Sequence, residues 1–290
     1  MKQNRRQFIK SGGLAALSLA SAGSGLLALA DESPAKKPFG IQVYSVKEAM
    51  EQDARGTLKA LASYGYRQIE SFEGSRGLFW GMGNKAFAAY LQELGMELTA
   101  SHCDVNKDRE RKVAEAAEIG MRYLICPWLG PQKSMDDFRR FADEFNKVGE
   151  LCRKNGLRFA YHNHDYSFRL LDGQIPQQVL MENTDAGLVD FELDIYWAVT
   201  AGEDPERWLS TYPGRFRLCH IKDRMKQPLP DNRNSSCRLG TGVIPFPSIL
   251  NTAKASGMRY FFAEQEYYAV GTPLESAKAN AGYLRKWVRD

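Results

Sequence analysis

Ten polar residues of this chain could do chemistry together, eight of them in pairs two apart. His162 and His164 lie two apart in "FAYHNHDYSF", Glu192 and Asp194 in "DFELD", His220 and Lys222 in "CHIKD", and Glu264 and Glu266 in "AEQE". His102, with the other three, completes the chain's four histidines, and Glu70 adds a further acid. Residues two apart on a strand share a face. Each pair therefore projects one way, with Phe191, Leu193, Cys219, Ile221 and Ala263 on the opposite side. Burying so many ionisable groups is costly unless they are paired or hold a cation. A mixed imidazole and carboxylate set favours Mn, Co or Zn, with Mg as a further option, over Ca. The expectation is a divalent metal centre or a cluster of proton-transfer groups.

Something must hold these residues together, and the sequence repeats a simple unit. Short apolar, β-rich runs occur at 39–45, 67–72, 97–103, 122–128, 158–164, 188–194, 216–223 and 260–266. Helix-periodic stretches alternate with them, among others 53–64, 84–94, 135–155 and 273–288, and Gly65, Gly95, Gly156 and Gly257 stand where left-handed caps would end helices. Eight such units predict an α/β fold, a single-domain (β/α)8 barrel. An open doubly wound sheet is the weaker alternative, because no GxGxxG turn follows any strand. Barrel chemistry gathers at the C-terminal strand ends, where all four histidines fall. Gln42, Tyr44, Glu70, Trp80, Trp128, Trp197 and Glu266 would shape a pocket there, stacking on or hydrogen-bonding a polyol. Lys222 and Asp223 read equally as orienting His220 or as touching substrate. One long insertion, 224–246, follows the seventh strand and reads as a functional or mobile loop.

Residues 1–30 read as an export signal, with a basic head, a Gly- and Ser-diluted apolar stretch and the small-residue site Ala28-Leu29-Ala30. Arg5-Arg6 followed by Phe8, Ile9 and Lys10 resembles a twin-arginine signal, which implies a periplasmic or otherwise exported protein. Residues 31–38 form a linker and 39–290 the barrel. The formal charge of +4 is carried by Lys2, Arg5, Arg6 and Lys10, since 1–30 contains no acid. The remainder is near neutral, which argues against a nucleic-acid partner. No membrane association is expected after signal removal, and a homo-oligomer is compatible with the reading. Cys103, Cys126, Cys152, Cys219 and Cys237 form no CxxC pair, and several lie inside apolar runs as buried thiols would.

The runs "GIQVYSV", "YHNHDYSF", "LDIYWAVTAGEDP", "HIKDR" and "FFAEQE", in order across 39–288, resemble the xylose-isomerase-like barrel family of sugar isomerases and epimerases. That family includes inosose dehydratases, ketose 3-epimerases and exported lyases of 3-keto-glycosides; its wider superfamily contains endonuclease IV. The resemblance implies one divalent metal held by Asp194, His220 and Glu264, with His162 where relatives carry a strand-five glutamate. Two-base epimerisation uses both glutamates, whereas isomerisation or β-elimination needs no second one. Thr241, in "GTGVIPF", stands where relatives often carry an acid. The implied activity is metal-assisted proton abstraction next to a carbonyl of a small carbohydrate or keto-sugar, with Glu264, His164 or His102 as base and Lys222 holding the developing oxyanion. His162 is expected as a ligand and His164, one step nearer the mouth, as an acid or base poised near neutral pH. A 3-keto-glycoside lyase is the alternative within the family; an endonuclease IV-like nuclease or a noncatalytic sugar-binding protein stands further off.

Overall fold

The structure is a computed structural model that describes residues 38–230 and 234–287. The expected signal at 1–30, and the linker up to residue 37, lie outside the described residues. Chain order gives β1 (Gly40–Gln42), α1 (Lys47–Ser63), β2 (Gln68–Phe72), α2 (Asn84–Glu93), β3 (Glu97–His102), α3 (Arg109–Glu118), β4 (Tyr123–Cys126), α4 (Met135–Lys154) and β5 (Arg158–His162). There follow α5 (Pro176–Glu182), β6 (Val189–Asp194), α6 (Ile195–Thr200), α7 (Pro205–Thr211), β7 (Phe216–Ile221), the short pair β8 (Asp223–Arg224) and β9 (Ser236–Cys237), α8 (Phe246–Ala255), β10 (Tyr260–Ala263) and α9 (Pro273–Trp287).

Eight strands close a parallel barrel in the order β1-β10-β7-β6-β5-β4-β3-β2, the expected (β/α)8 architecture. The alternation read from sequence explains its two cores. Outward residues such as Phe191, Leu193, Cys219 and Ile221 pack beneath the helices. Inward, Ala100, Tyr123, Ile125, Ala160, Leu218 and Phe262 form a separate apolar plug with Tyr260 against it. Gly40 belongs to that plug by what it lacks: a Cβ there would stand 2.3 Å from Phe262 Cδ1 and 2.9 Å from the Gln68 carbonyl, so only glycine lets the Phe262 ring cross the axis. The four glycines read as caps all have positive φ.

Six strands, β1, β3, β4, β5, β7 and β10, end sooner than the apolar runs do. β1 stops at Gln42, where a 3-10 turn, Val43–Val46, begins; the Gln42 side chain accepts from Tyr44 N–H at 3.0 Å. β5 stops at His162, and His164 caps a second 3-10 turn, Asp165–Phe168. Lys222 and Asp223 diverge likewise. Asp223 is fully buried, and its carboxylate accepts four backbone N–H groups: Arg224 at 2.8 Å, Gly240 and Gly242 at 2.9 Å each, and Ile244 at 3.3 Å. Gly242 is obligatory, since a Cβ would fall 2.2 Å from Asp223 Oδ1. Asp223 thus neither orients His220 nor meets the pocket. It fastens the described parts of the 224–246 insertion to the end of β7.

Candidate active site

The C-terminal strand ends assemble the polar residues in three tiers. Deepest lie the fully buried Gln42, Glu70 and Glu192. Gln42 Nε2 donates to Glu70 Oε1 at 2.6 Å, and the same oxygen takes His220 Nε2 at 2.6 Å and His102 Nε2 at 3.2 Å. Glu192 Oε2 is a second hub, bonded to His102 Nε2 at 2.8 Å and His162 Nδ1 at 3.0 Å, with His220 Nε2 at 3.3 Å. Its contacts are hydrogen-bond lengths, so an oxygen already fills the centre of the His102, His162 and His220 group.

The middle tier is different. Ligand atoms of Asp194, His220 and Glu264 lie within 4.8 Å of one another. Asp194 Oδ1 caps α6 through Trp197 N–H at 3.0 Å, which leaves Oδ2 buried with no hydrogen-bond partner among the described residues. That oxygen is 3.8 Å from His220 Nδ1 and 3.9 Å from His162 Nε2; His220 Nδ1 is 3.0 Å from Glu264 Oε2. Atoms about 2.0–2.2 Å from a shared ion stand roughly 3–4.4 Å apart, so the two spacings to Asp194 Oδ2 suit coordination better than hydrogen bonding, while the 3.0 Å between His220 and Glu264 is a hydrogen bond that coordination would also allow. Each candidate histidine also gives its other nitrogen to a carboxylate, His162 to Glu192 and His220 to Glu70, the arrangement that fixes the tautomer of a metal-bound imidazole. Asp194 Oδ2, buried without a hydrogen bond beside two imidazole nitrogens, is the feature of this donor set that fits a divalent cation. Asn163 holds two ligand strands in register: its Oδ1 accepts Asp194 N–H at 3.0 Å and its Nδ2 donates to Asp194 O at 3.2 Å.

Lys222 is fully buried behind this tier. Its Nζ donates to Glu264 Oε2 at 3.2 Å and to Glu266 Oε1, and lies 5.0 Å over the Trp197 ring. Burial alone would raise the Glu264 carboxyl, but the charges of Lys222 and His220 outweigh it and hold it well below the usual range. Lys222 keeps Glu264 ionised from behind and does not reach the cavity to hold an oxyanion.

The upper tier is a cavity of about 490 Å³ whose lining includes Tyr44, Phe72, His102, Trp128, His162, His164, Trp197, Glu264 and Glu266. Trp128, 55% exposed, stands at the mouth with its ring edge-on to His164 at 4.6 Å. Among the described residues, Trp197 Nε1 and His164 Nδ1 are buried without a hydrogen-bond partner. The two cavity imidazoles differ in charge. Burial, reinforced by Lys222, pushes His164 down to about 3, so it is neutral and not poised near pH 7 as expected from sequence. Burial also works against a charged His102, yet Glu70 and Glu192 prevail and push it up to about 9.

Of the residues expected to meet substrate, Tyr44, Trp128, Trp197 and Glu266 line the cavity, whereas Gln42, Glu70 and Trp80 do not. Gln42 and Glu70 lie under the middle tier, and Trp80 is buried with Nε1 donating to Ser71 Oγ at 3.1 Å. Sequence reasoning missed Phe72, Glu73, Cys103, Asp104 and Lys107, which also line the cavity from the ends of β2 and β3. Glu73 ties those loops together by accepting Lys112 Nζ at 2.6 Å and Asp104 N–H at 2.9 Å. Their position just beyond two strand ends was the signal available.

Comparison with known proteins finds relatives of this fold. A family model described as xylose isomerase-like TIM barrel matches residues 58–287. Inosose dehydratase 2 of Bacillus cereus is 26% identical over 215 residues, 66% of this chain and 71% of that protein. Inosose dehydratase of Bacillus thuringiensis is 27% identical over 225 residues, 69% and 74% of the two chains. A solved sugar phosphate isomerase/epimerase of Parabacteroides distasonis is 29% identical, with a TM-score of 0.74 over 88% of this chain and 95% of that one.

Proposed function

The chain belongs to the xylose isomerase-like TIM barrel family, and from that premise we propose that it is a sugar-modifying enzyme, dependent on a divalent metal, that removes a proton next to the carbonyl of a keto-sugar and expels a neighbouring oxygen. The observation that carries the reading is the cluster of Asp194, His220 and Glu264, with His162 Nε2 3.9 Å from Asp194 Oδ2 and each histidine backed by a carboxylate. A divalent ion bound there would polarise the substrate carbonyl. His164 and His102 both line the cavity, and opposite environments split their pKa values, the pattern that separates a base from an acid. The neutral His164 ring accepts the carbon-bound proton. The electron pair it leaves forms the carbon–carbon double bond as the β carbon–oxygen bond breaks, and the charged His102 ring protonates the departing oxygen. The products are an unsaturated ketone and water or an alcohol. Trp197 Nε1 supplies a donor to a substrate hydroxyl, and Lys222 positions Glu264 and Glu266.

Elimination is favoured over two-base epimerisation because His162 occupies the strand-five ligand position, and the two dehydratase relatives agree with it. Without loss of oxygen, return of the proton gives isomerisation. Export, read from 1–30 alone, directs the reading to environmental glycosides; a reporter fused behind residue 35 and left in the cytoplasm would remove that part.

The deciding experiment incubates the protein and Mn2+ or Co2+ with inosose and with 3-keto-glucosides in D2O, followed by NMR. Vinylic signals are expected. Deuterium uptake without them would mean isomerisation, and neither change would refute the proposal. Elemental analysis should find metal lost in Asp194→Ala and His162→Ala but retained in His164→Ala, whose turnover is lost.

A further inference from the structure

The opposite end of the barrel carries a second built feature. Strand after strand opens on arginine: Arg122 precedes β4, Arg158 begins β5, Arg217 lies at the start of β7 and Arg259 precedes β10. Closure pairs them, since Arg158 N–H donates to Arg122 O and Arg259 N–H to Arg217 O, both at 2.9 Å. All four line one cavity of about 590 Å³ together with Tyr123 and Tyr260, whose rings meet edge to face at 5.8 Å. The apolar plug of Ile125, Leu218 and Phe262 separates it from the middle tier.

The charges of this cavity are poorly answered by the protein. Arg158 is taken up by the buried Asp190, which also accepts from Tyr123 OH at 2.8 Å. Arg217 spends one N–H on Gly257 O at 2.8 Å. Among the described residues, the side chains of Arg122 and Arg259 have no hydrogen bond or ion pair, and Glu97, the acid beginning β3, is engaged by Gln68 at 2.9 Å. Three guanidinium charges thus face one concave space without a counter-charge. Such a concavity focuses positive potential, and arginine forks match oxyanions with two hydrogen bonds each.

We propose that this cavity at the N-terminal end of the barrel is a binding site for a compact multivalent oxyanion of the diphosphate class. The site is independent of the keto-sugar reading, because none of its residues touches the other cavity. Inorganic pyrophosphate is the probe, titrated into the full chain by calorimetry and by thermal unfolding, with NaCl and sodium sulfate at matched ionic strength. Saturable binding and a raised Tm specific to pyrophosphate are expected. Arg122→Ala and Arg259→Ala should each weaken binding about tenfold, the worth of one charge-assisted pair. Lys107→Ala, at the sugar-side cavity, should leave it unchanged. A response no larger than that of NaCl would overturn the proposal, as would binding that survives Arg122→Ala/Arg259→Ala or is lost in Lys107→Ala. If the arginine variants do not fold, Arg122→Lys and Arg259→Lys, which keep the charge and lose the fork, carry the same comparison.

Discussion

Asp223→Ala should damage both stability and the site although Asp223 lies outside the cavity. The carboxylate is fully buried and accepts two distant N–H groups, Gly240 and Gly242, at 2.9 Å, besides Arg224 and Ile244. Hydrogen bonds to a charged group are worth about 1.5–3 kcal/mol each, so loss of the two distant ones alone removes roughly 3–6 kcal/mol. For a chain of this size that lowers Tm by about 6–12 °C. The damage spreads because the insertion carries Ser236, whose hydroxyl accepts Glu266 N–H at 2.9 Å and Tyr267 N–H at 3.0 Å. Releasing the insertion therefore releases the segment that aims Glu264 and Glu266. Thermal unfolding, hydrogen exchange of 234–244 and metal content would be measured together. Asp223→Asn, which keeps an acceptor oxygen, should lose about half as much. A Tm within about 2 °C of the parent, with unchanged exchange in the insertion, would refute the anchoring role.

Other outcomes follow from the same geometry. Gly40→Ala places a methyl 2.3 Å from Phe262 and should cost about 1–3 kcal/mol in urea unfolding; Phe262→Leu in the same chain should recover part of it, and additive losses would show that the two do not meet. Burial pushes Cys126 and Cys152 up to about 12, and raises Cys103 and Cys219, so Ellman's reagent at pH 8 should titrate only the half-buried Cys237 in the folded protein and all five thiols after unfolding. His102 is raised from 6.5 to about 9, so the folded state holds its proton more tightly; its contribution is complete below pH 6.5 and is lost as pH rises through 9. His102→Gln should flatten stability across that interval, and an unchanged pH profile would count against the Glu70 and Glu192 contacts.

The barrel itself was legible along the chain because strand and helix periodicities are local properties, and eight repeats of the pair admit few closures. So was the polar side of the strands: Glu192 and Asp194 face inward because side chains alternate, whereas Glu264 and Glu266 reach the cavity from just beyond β10. The group of Asp194, His220 and Glu264 required more. Asp194 Oδ2 and His162 Nε2 come within 3.9 Å only because β5 and β6 are registered His162 against Glu192, with Asn163 holding the following residues. No spacing within one strand could show that Gln42 and Glu70 sit below the Asp194, His220 and Glu264 group while Tyr44 stands above it, since depth along the axis depends on the stagger of neighbouring strands. Charge was also undecided. His102 and His164 are the same residue in sequence, and only their surroundings, two carboxylates for one and Lys222 with apolar walls for the other, set their pKa values apart. Lys222 and Asp223, adjacent and both ambiguous as letters, were parted by the end of β7, which turns one into the site's buried ammonium and the other into the anchor of a distant loop.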